Sequence, residues 1–102
     1  MPRLILAEGA VRSLERVRAF LAEKSPEAAQ RAGQAIAAKL LALETTPAMG
    51  RPFAMESGTS DAWRELPIPF GDTGYIALYR LDAASDAVIV LAIRHQREAG
   101  YA

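Results

Sequence analysis

The sequence predicts an α+β domain in the order β-α-α-β-β-β, an αα-hairpin packed on a small, mainly antiparallel, four-stranded sheet, with residues 1–102 forming a single domain. Three observations carry this expectation. The stretch from Trp63 to His95 falls into three segments rich in β-branched and aromatic residues, divided by Phe70-Gly71-Asp72-Thr73 and by Asp82-Ala83-Ala84-Ser85-Asp86; this is how an antiparallel meander is punctuated. Before it lie two stretches with helical apolar spacing. Before those lies Arg3-Leu4-Ile5-Leu6-Ala7, too short for a helix and suited to a buried strand.

The strand at the N-terminus is expected beside the last one. Ala87 to Ile93 is apolar at both parities, so neither face can look at water and the strand belongs inside the sheet with a neighbour on each side. From Glu8 onward Val11, Leu14, Val17 and Leu21 share one helical face, which Phe20 widens. Lys24-Ser25-Pro26-Glu27 then stops one helix and starts another: Ser25 can cap, Pro26 suits the first helical position, and Glu27 sits well in the first turn. The second helix runs to about Leu43 or Glu44, with Ala29, Ala32 or Gly33, Ile36, Leu40 and Leu43 toward the core. Thr45 to Ala62 has no period and contains Pro47, Gly50, Pro52 and Gly58, which predicts an unusually long connection. Met49, Phe53 and Met55 would tuck it onto the body. Pro67 and Pro69 remove ladder donors from the segment that follows, placing it at a sheet edge.

Composition excludes several function classes. There is no cysteine and only one histidine, so neither a disulfide framework nor a zinc set can be built, and no metal or cofactor is expected. No apolar run approaches the roughly 20 residues of a membrane span, and the N-terminus lacks the pattern of a secretion signal; a soluble, cytoplasmic protein is expected. Twelve basic and twelve acidic residues cancel, giving a pI near 6.6 and no global field toward nucleic acid or anionic lipid. Glycine-rich phosphate loops, nucleophile elbows and metal-spaced carboxylates are absent from the sequence.

What chemistry remains gathers at strand ends: Arg64 and Glu65, then Arg80, then Arg94 and His95, then Arg97, Glu98 and Tyr101 in the tail. Arg64 and Arg94, opening one strand and closing another, are expected toward the same end of the sheet. Guanidinium groups clustered there could clamp a phosphodiester while His95 or Glu65 moves protons. The plainer alternative is structural, with Arg64 paired to a local carboxylate, Arg80 to Asp82 or Asp72, and His95 simply finishing a strand.

The chain resembles the ParE/RelE superfamily of toxins from bacterial type II toxin-antitoxin systems, including the ParE-like plasmid stabilisation proteins. The likeness rests on Phe20-Leu21 with Ser25-Pro26-Glu27-Ala28-Ala29, on Pro47 with Gly50-Arg51-Pro52, and on Arg64-Glu65-Leu66. It continues through Gly74-Tyr75 and Leu78-Tyr79-Arg80 to Val90-Leu91-Ala92-Ile93-Arg94-His95 with Arg97-Glu98. The resemblance implies the fold reached above and a small, ParD-like antitoxin as partner. For that partner the outward face of the helix hairpin, with Arg12, Arg16 and Arg18, is a landing site suited to an acidic amphipathic segment.

Members similar to ParE block DNA gyrase, whereas those similar to RelE cut messenger RNA in the ribosome. On the nuclease reading the resemblance offers Arg64, Arg80, His95 and Tyr101, with Glu65 as a possible base. On the gyrase reading Arg94, His95, Arg97 and Tyr101 would contact the target, since arginines and aromatics dominate interface hot spots. Zero net charge and only two lysines, Lys24 and Lys39, favour the gyrase reading, because a protein wedged in ribosomal RNA gains affinity by neutralising phosphates. A third possibility is a non-toxic antitoxin-binding or regulatory domain.

Overall fold

The computed structural model describes residues 1–55, 58–98 and 100–101, with side chains described outside 54–62. The elements run β1 (Arg3–Leu6), α1 (Glu8–Ala22), α2 (Pro26–Ala42), β2 (Arg51–Met55), β3 (Gly58–Phe70), β4 (Thr73–Asp82) and β5 (Ala87–His95). They form one sheet in the order β1-β5-β4-β3-β2 with the helix hairpin on one face. As the apolar run of β5 requires, that strand is interior: β1 lies parallel to it, with Arg3 opposite Ala87 and Leu6 opposite Val90, and β4 lies antiparallel on its other side.

The expected helices form where the sequence puts them. Ser25 Oγ accepts from the Ala28 N–H at 3.2 Å and Pro26 opens α2, so orphan donors of the first turn are answered locally. Ala29, Ala32, Ile36, Leu40 and Leu43 are buried, against Leu66, Ile68, Tyr79, Val88, Val90 and Ile93 among others. Each fully buried side chain of the larger kinds contributes about 1.5 to 3 kcal/mol. Gly33 faces open space rather than a close neighbour. On α1 the expected Leu14, Val17 and Leu21 pack against the core, but the two flanks of that face do not. Val11 and Phe20 are 41% and 58% exposed, and the residues it buries completely are Ala10 and Ser13.

Two strand expectations are corrected. The stretch from Thr45 to Ala62 is not one connection: β2 lies within it and β3 already begins at Gly58, so the sheet has five strands. Pairing across the short link, with Arg51 opposite Glu65 and Met55 opposite Gly58, does what alternation in the sequence does not announce. The Trp63–Pro69 segment is therefore not the edge of the sheet; β2 is. The prolines are tolerated because β2 pairs no further along β3 than Glu65, which leaves Pro67 and Pro69 unpaired on that side.

A bulge in β5 sets which way its last residues point. Tyr79 faces Val90 while Leu78 faces Ala92, leaving Leu91 as the extra residue. Val88, Val90 and Ile93 thereby all reach the helix side, and the alternation that follows turns Arg94 outward and His95 inward. α1 accommodates the bulge. A Cβ on Gly9 would lie 2.7 Å from the Leu91 carbonyl oxygen, so only glycine allows the helix this close. Ser13 Oγ accepts the Ile93 N–H at 3.2 Å and donates to the Gly9 carbonyl at 2.8 Å.

Ser13→Ala would leave the buried Ile93 N–H without an acceptor, and about 1 to 3 kcal/mol of stability should be lost. Urea unfolding of the two proteins measures it; a change within error would show that the bulge does not depend on this hydroxyl.

Candidate functional site

The sheet has one face under the helices and one facing outward, and the strand register sorts the candidate residues between them. Trp63, Glu65, Ile76, Leu78, Arg80, Ile89 and Arg94 alternate outward, and Arg51 joins them opposite Glu65. On this face the C-terminal tail folds back. The Tyr101 hydroxyl donates to Glu65 Oε2 at 2.6 Å, the Arg94 guanidinium lies 5.2 Å from the Tyr101 ring centre, and Phe53 meets that ring edge-on. Reaching from Arg94 on β5 to Glu65 on β3, the tail crosses β4, and the outward Ile76 and Leu78 beneath it are buried.

Arg94 Nη1 is within hydrogen-bond reach of the carbonyls of His95, Gln96 and Glu98, the last at 2.7 Å, which shapes the turn that starts the tail. Its Nε is buried with no partner among the described residues. Glu65 also faces Arg51 at 3.4 Å. Burial, then the adjacent Glu65 carboxylate, push the Tyr101 hydroxyl far above its ordinary range, with Arg94 opposing. Tyr101 is thus a committed hydrogen-bond donor and not a ready base.

His95 lies on the other side. The Arg97 main-chain N–H donates to its Nδ1 at 3.2 Å, so Nε2 carries the proton and donates to Thr73 Oγ1 at 2.9 Å. Tyr75 stands edge-on to its ring. Arg64 also points away from Tyr101: its Nη1 donates to the Gly50 carbonyl at 2.7 Å and reaches that of Ala48, instead of pairing with a carboxylate. Beside it the buried Tyr79 hydroxyl donates to the Pro47 carbonyl at 2.7 Å and accepts the Gly50 N–H at 2.9 Å. Burial raises the pKa of Tyr79, with Gly50 and Arg64 opposing. The Pro47 to Gly50 segment is therefore pinned by two side chains of the sheet, and a Cβ at Gly50 would collide with both the Glu65 carbonyl and Tyr79.

Arg64 and Arg94 are not at the same end. β3 and β5 both run antiparallel to β4 and hence alongside each other in direction, so the start of one and the close of the other lie apart: Arg64 is opposite Tyr79 and Arg94 opposite Ile76. Arg80 faces Trp63 and Ile89 across the sheet. Asp82 is held below the usual carboxylate range first by the Ser85 hydroxyl at 2.9 Å and then by Arg80. Of the residues proposed for RNA cleavage, Glu65 and Tyr101 touch, Arg80 shares their face, and Arg64 and His95 do not. Of those proposed for target contact, Arg94 and Tyr101 stack outward, Arg97 is exposed in the tail, and His95 faces α1.

Arg12, Arg16 and Arg18 are all exposed on α1, and Arg12 pairs with Glu8 at 2.8 Å. Sequence reasoning quoted Arg51 only within a motif and expected Phe53 only to tuck a connection onto the body, not to sit beside the tail, and it did not single out Ser13 or Gly9 behind the bulge. Ser13 carried a signal: it is the polar member of an otherwise apolar series Ala10, Leu14, Val17, Leu21.

Two solved structures share this arrangement of hairpin and sheet. The toxin-antitoxin system chromosomal ParDE from P. aeruginosa superposes with a TM-score of 0.70 at 20% identity, over 93% of this chain and 96% of that one. The RelBE2 toxin-antitoxin complex from Mycobacterium tuberculosis does so with a TM-score of 0.63 at 21% identity, over 94% and 100%. At these identities the likeness is one of fold, and it defines an α+β domain of the ParE/RelE type. A family model described as the ParE toxin of the type II toxin-antitoxin system, parDE, matches residues 4–100, and the chain belongs to that toxin family. Among curated relatives, Toxin RelE3 of Caulobacter vibrioides is 34% identical over 98 residues, 96% of this chain and 98% of its own. Toxin RelE1 of the same organism is 33% identical over 82 residues, 80% and 82%.

All three tyrosines of the chain, Tyr75, Tyr79 and Tyr101, have hydroxyls raised above the ordinary value of 10.0, burial being the first cause in each. The stability they confer is complete below about pH 10, the unfolded value, and declines as pH rises past it. Phenolate absorbance followed with pH should therefore rise only above that point and together with unfolding. A tyrosine ionising reversibly near pH 10 in the folded protein would contradict the burial described. Tyr101→Phe should remove part of the alkaline loss.

Proposed function

We propose that this toxin acts by binding DNA gyrase rather than by cutting RNA, and that a ParD-like antitoxin neutralises it. The observation that carries this reading is that the candidate groups able to move protons, Tyr101, Glu65 and His95, are engaged or turned away. The Tyr101 hydroxyl donates its hydrogen bond to Glu65, Glu65 is flanked by Arg51, and the chain's one histidine faces α1 with both ring nitrogens occupied. Among the described residues, a phosphodiester laid on the outward face would meet arginines without a free acid and base. What the face offers instead is a stacked pair, Arg94 on Tyr101, with Arg97 exposed in the tail between them. Arginine and tyrosine so arranged are the side chains on which interfaces depend most. A gyrase target requires the cytoplasm, and among the described residues no helix is long and apolar enough to cross a membrane.

The antitoxin partner is supported by family membership and by the ParDE and RelBE2 systems named for the solved relatives. Its landing site would be the exposed side of α1, where Arg12, Arg16 and Arg18 lie among the exposed Val11 and Phe20, a mixture suited to an acidic amphipathic segment.

Two observations favour the ribonuclease reading: Arg51, Arg80 and Arg94 all turn to the outward face, and two curated relatives carry RelE names. One experiment separates the two. Purified toxin is added to gyrase and to translating ribosomes in parallel. The gyrase reading predicts lost supercoiling and trapped cleaved DNA, reversed by the antitoxin, with messenger RNA intact. Arg94→Ala should weaken gyrase inhibition by about tenfold or more, as expected of an interface anchor. Ribosome-dependent cuts in messenger RNA with no effect on gyrase would overturn it, and a folded chain without effect on either, or on growth, would point to a non-toxic regulatory domain.

A further inference from the structure

Where α1 ends over the close of β5, it leaves a cavity of about 390 Å³ that borders the antitoxin face of α1 through Arg16 and Phe20. Its apolar wall is Val17, Phe20 and Leu21 of α1 with Tyr75 of β4, and its polar wall is Arg16, His95 and Glu98. The volume falls at the small end of the range of about 300 to 1,000 Å³ occupied by ligand pockets, room for one or two rings. Three of the lining residues are aromatic, and aromatic walls hold a planar ring by edge and offset contacts.

The polar groups on the wall are arranged for an acceptor. Arg16 has no ion-pair partner among the described residues, and the Tyr75 hydroxyl makes no hydrogen bond among them. Both are donors. His95 is already satisfied through Thr73 and the Arg97 N–H, and Glu98 Oε1, on the one acid of the wall, accepts the His95 main-chain N–H at 2.8 Å. At the rim Lys24 Nζ lies 4.7 Å above the Phe20 ring and adds a second positive charge. We propose that this cavity binds a small aromatic carboxylate, with its ring between Phe20 and Tyr75 and its carboxylate taken by Arg16 and the Tyr75 hydroxyl. The site rests on its own geometry and is independent of which target the toxin attacks.

The test uses the full chain and two probes of one shape, 3-phenylpropionate and its neutral counterpart 3-phenylpropanol, titrated while amide NMR shifts are followed. The acid should shift Val17, Phe20, Tyr75 and His95 saturably, and the alcohol should bind about tenfold more weakly for want of a charge-assisted contact. Arg16→Gln, at an exposed position that leaves folding intact, should weaken the acid by a similar factor and leave the alcohol unchanged. Glu98→Gln should tighten the acid. The absence of saturable shifts, equal binding of acid and alcohol, or an Arg16→Gln protein that binds the acid as before would each overturn the proposal.

Discussion

The extra residue at Leu91 has to be accommodated by something, and α1 does so by coming close enough to touch it. Gly9 lets the helix reach the Leu91 carbonyl, and Ser13 takes the Ile93 N–H. A buried N–H left without a partner is among the most costly features a core can have, so helix and bulge hold each other. Every side chain after the bulge then points to the opposite side from where strict alternation would send it. Arg94 goes to the outward face and His95 to the α1 side, and the rest of the C-terminal region follows from that choice.

On the outward face, Arg94 gathers carbonyls of the following turn, which brings Tyr101 across β4 onto Glu65. On the other, His95 gathers Thr73, Tyr75 and the Arg97 N–H, forming the floor of the cavity at the end of α1. The two halves of the tail's anchorage thus sit on opposite sides of one sheet and are separated by a single peptide. At the far end Tyr79 and Arg64 do comparable work on the Pro47 to Gly50 segment, which sets the start of β2 and so places Arg51 beside Glu65.

Much of the fold was legible because local rules and tertiary context agree. Ser25-Pro26 capped α2, the doubly apolar β5 had to be interior, and Phe70-Gly71-Asp72-Thr73 had to turn, with Gly71 at a positive φ of 62°. β2 was not legible, since Arg51 and Pro52 do not alternate and the strand exists through its pairing with β3. On α1, Leu14, Val17 and Leu21 were rightly placed toward the core, but Val11 and Phe20 were not, because small residues, Gly9, Ala10 and Ser13, are what close contact with a strand selects, and periodicity counts large ones. The candidate residues were found, but their grouping was not. One inserted residue reverses two side chains, and no spacing rule applied to Arg94 and His95 alone shows which side each will take.

Inserting one alanine between Ile93 and Arg94 tests the central claim most directly, because it keeps the bulge and the contact of Ser13 with Ile93 yet reverses the faces of Arg94 and His95 without removing any candidate residue. With the fold checked by circular dichroism, the insertion should turn Arg94 toward α1, detach Tyr101 from Glu65, and abolish growth inhibition. A folded insertion protein that arrests growth as strongly as the parent would contradict the account, since the toxic surface would then not depend on the faces that the bulge assigns.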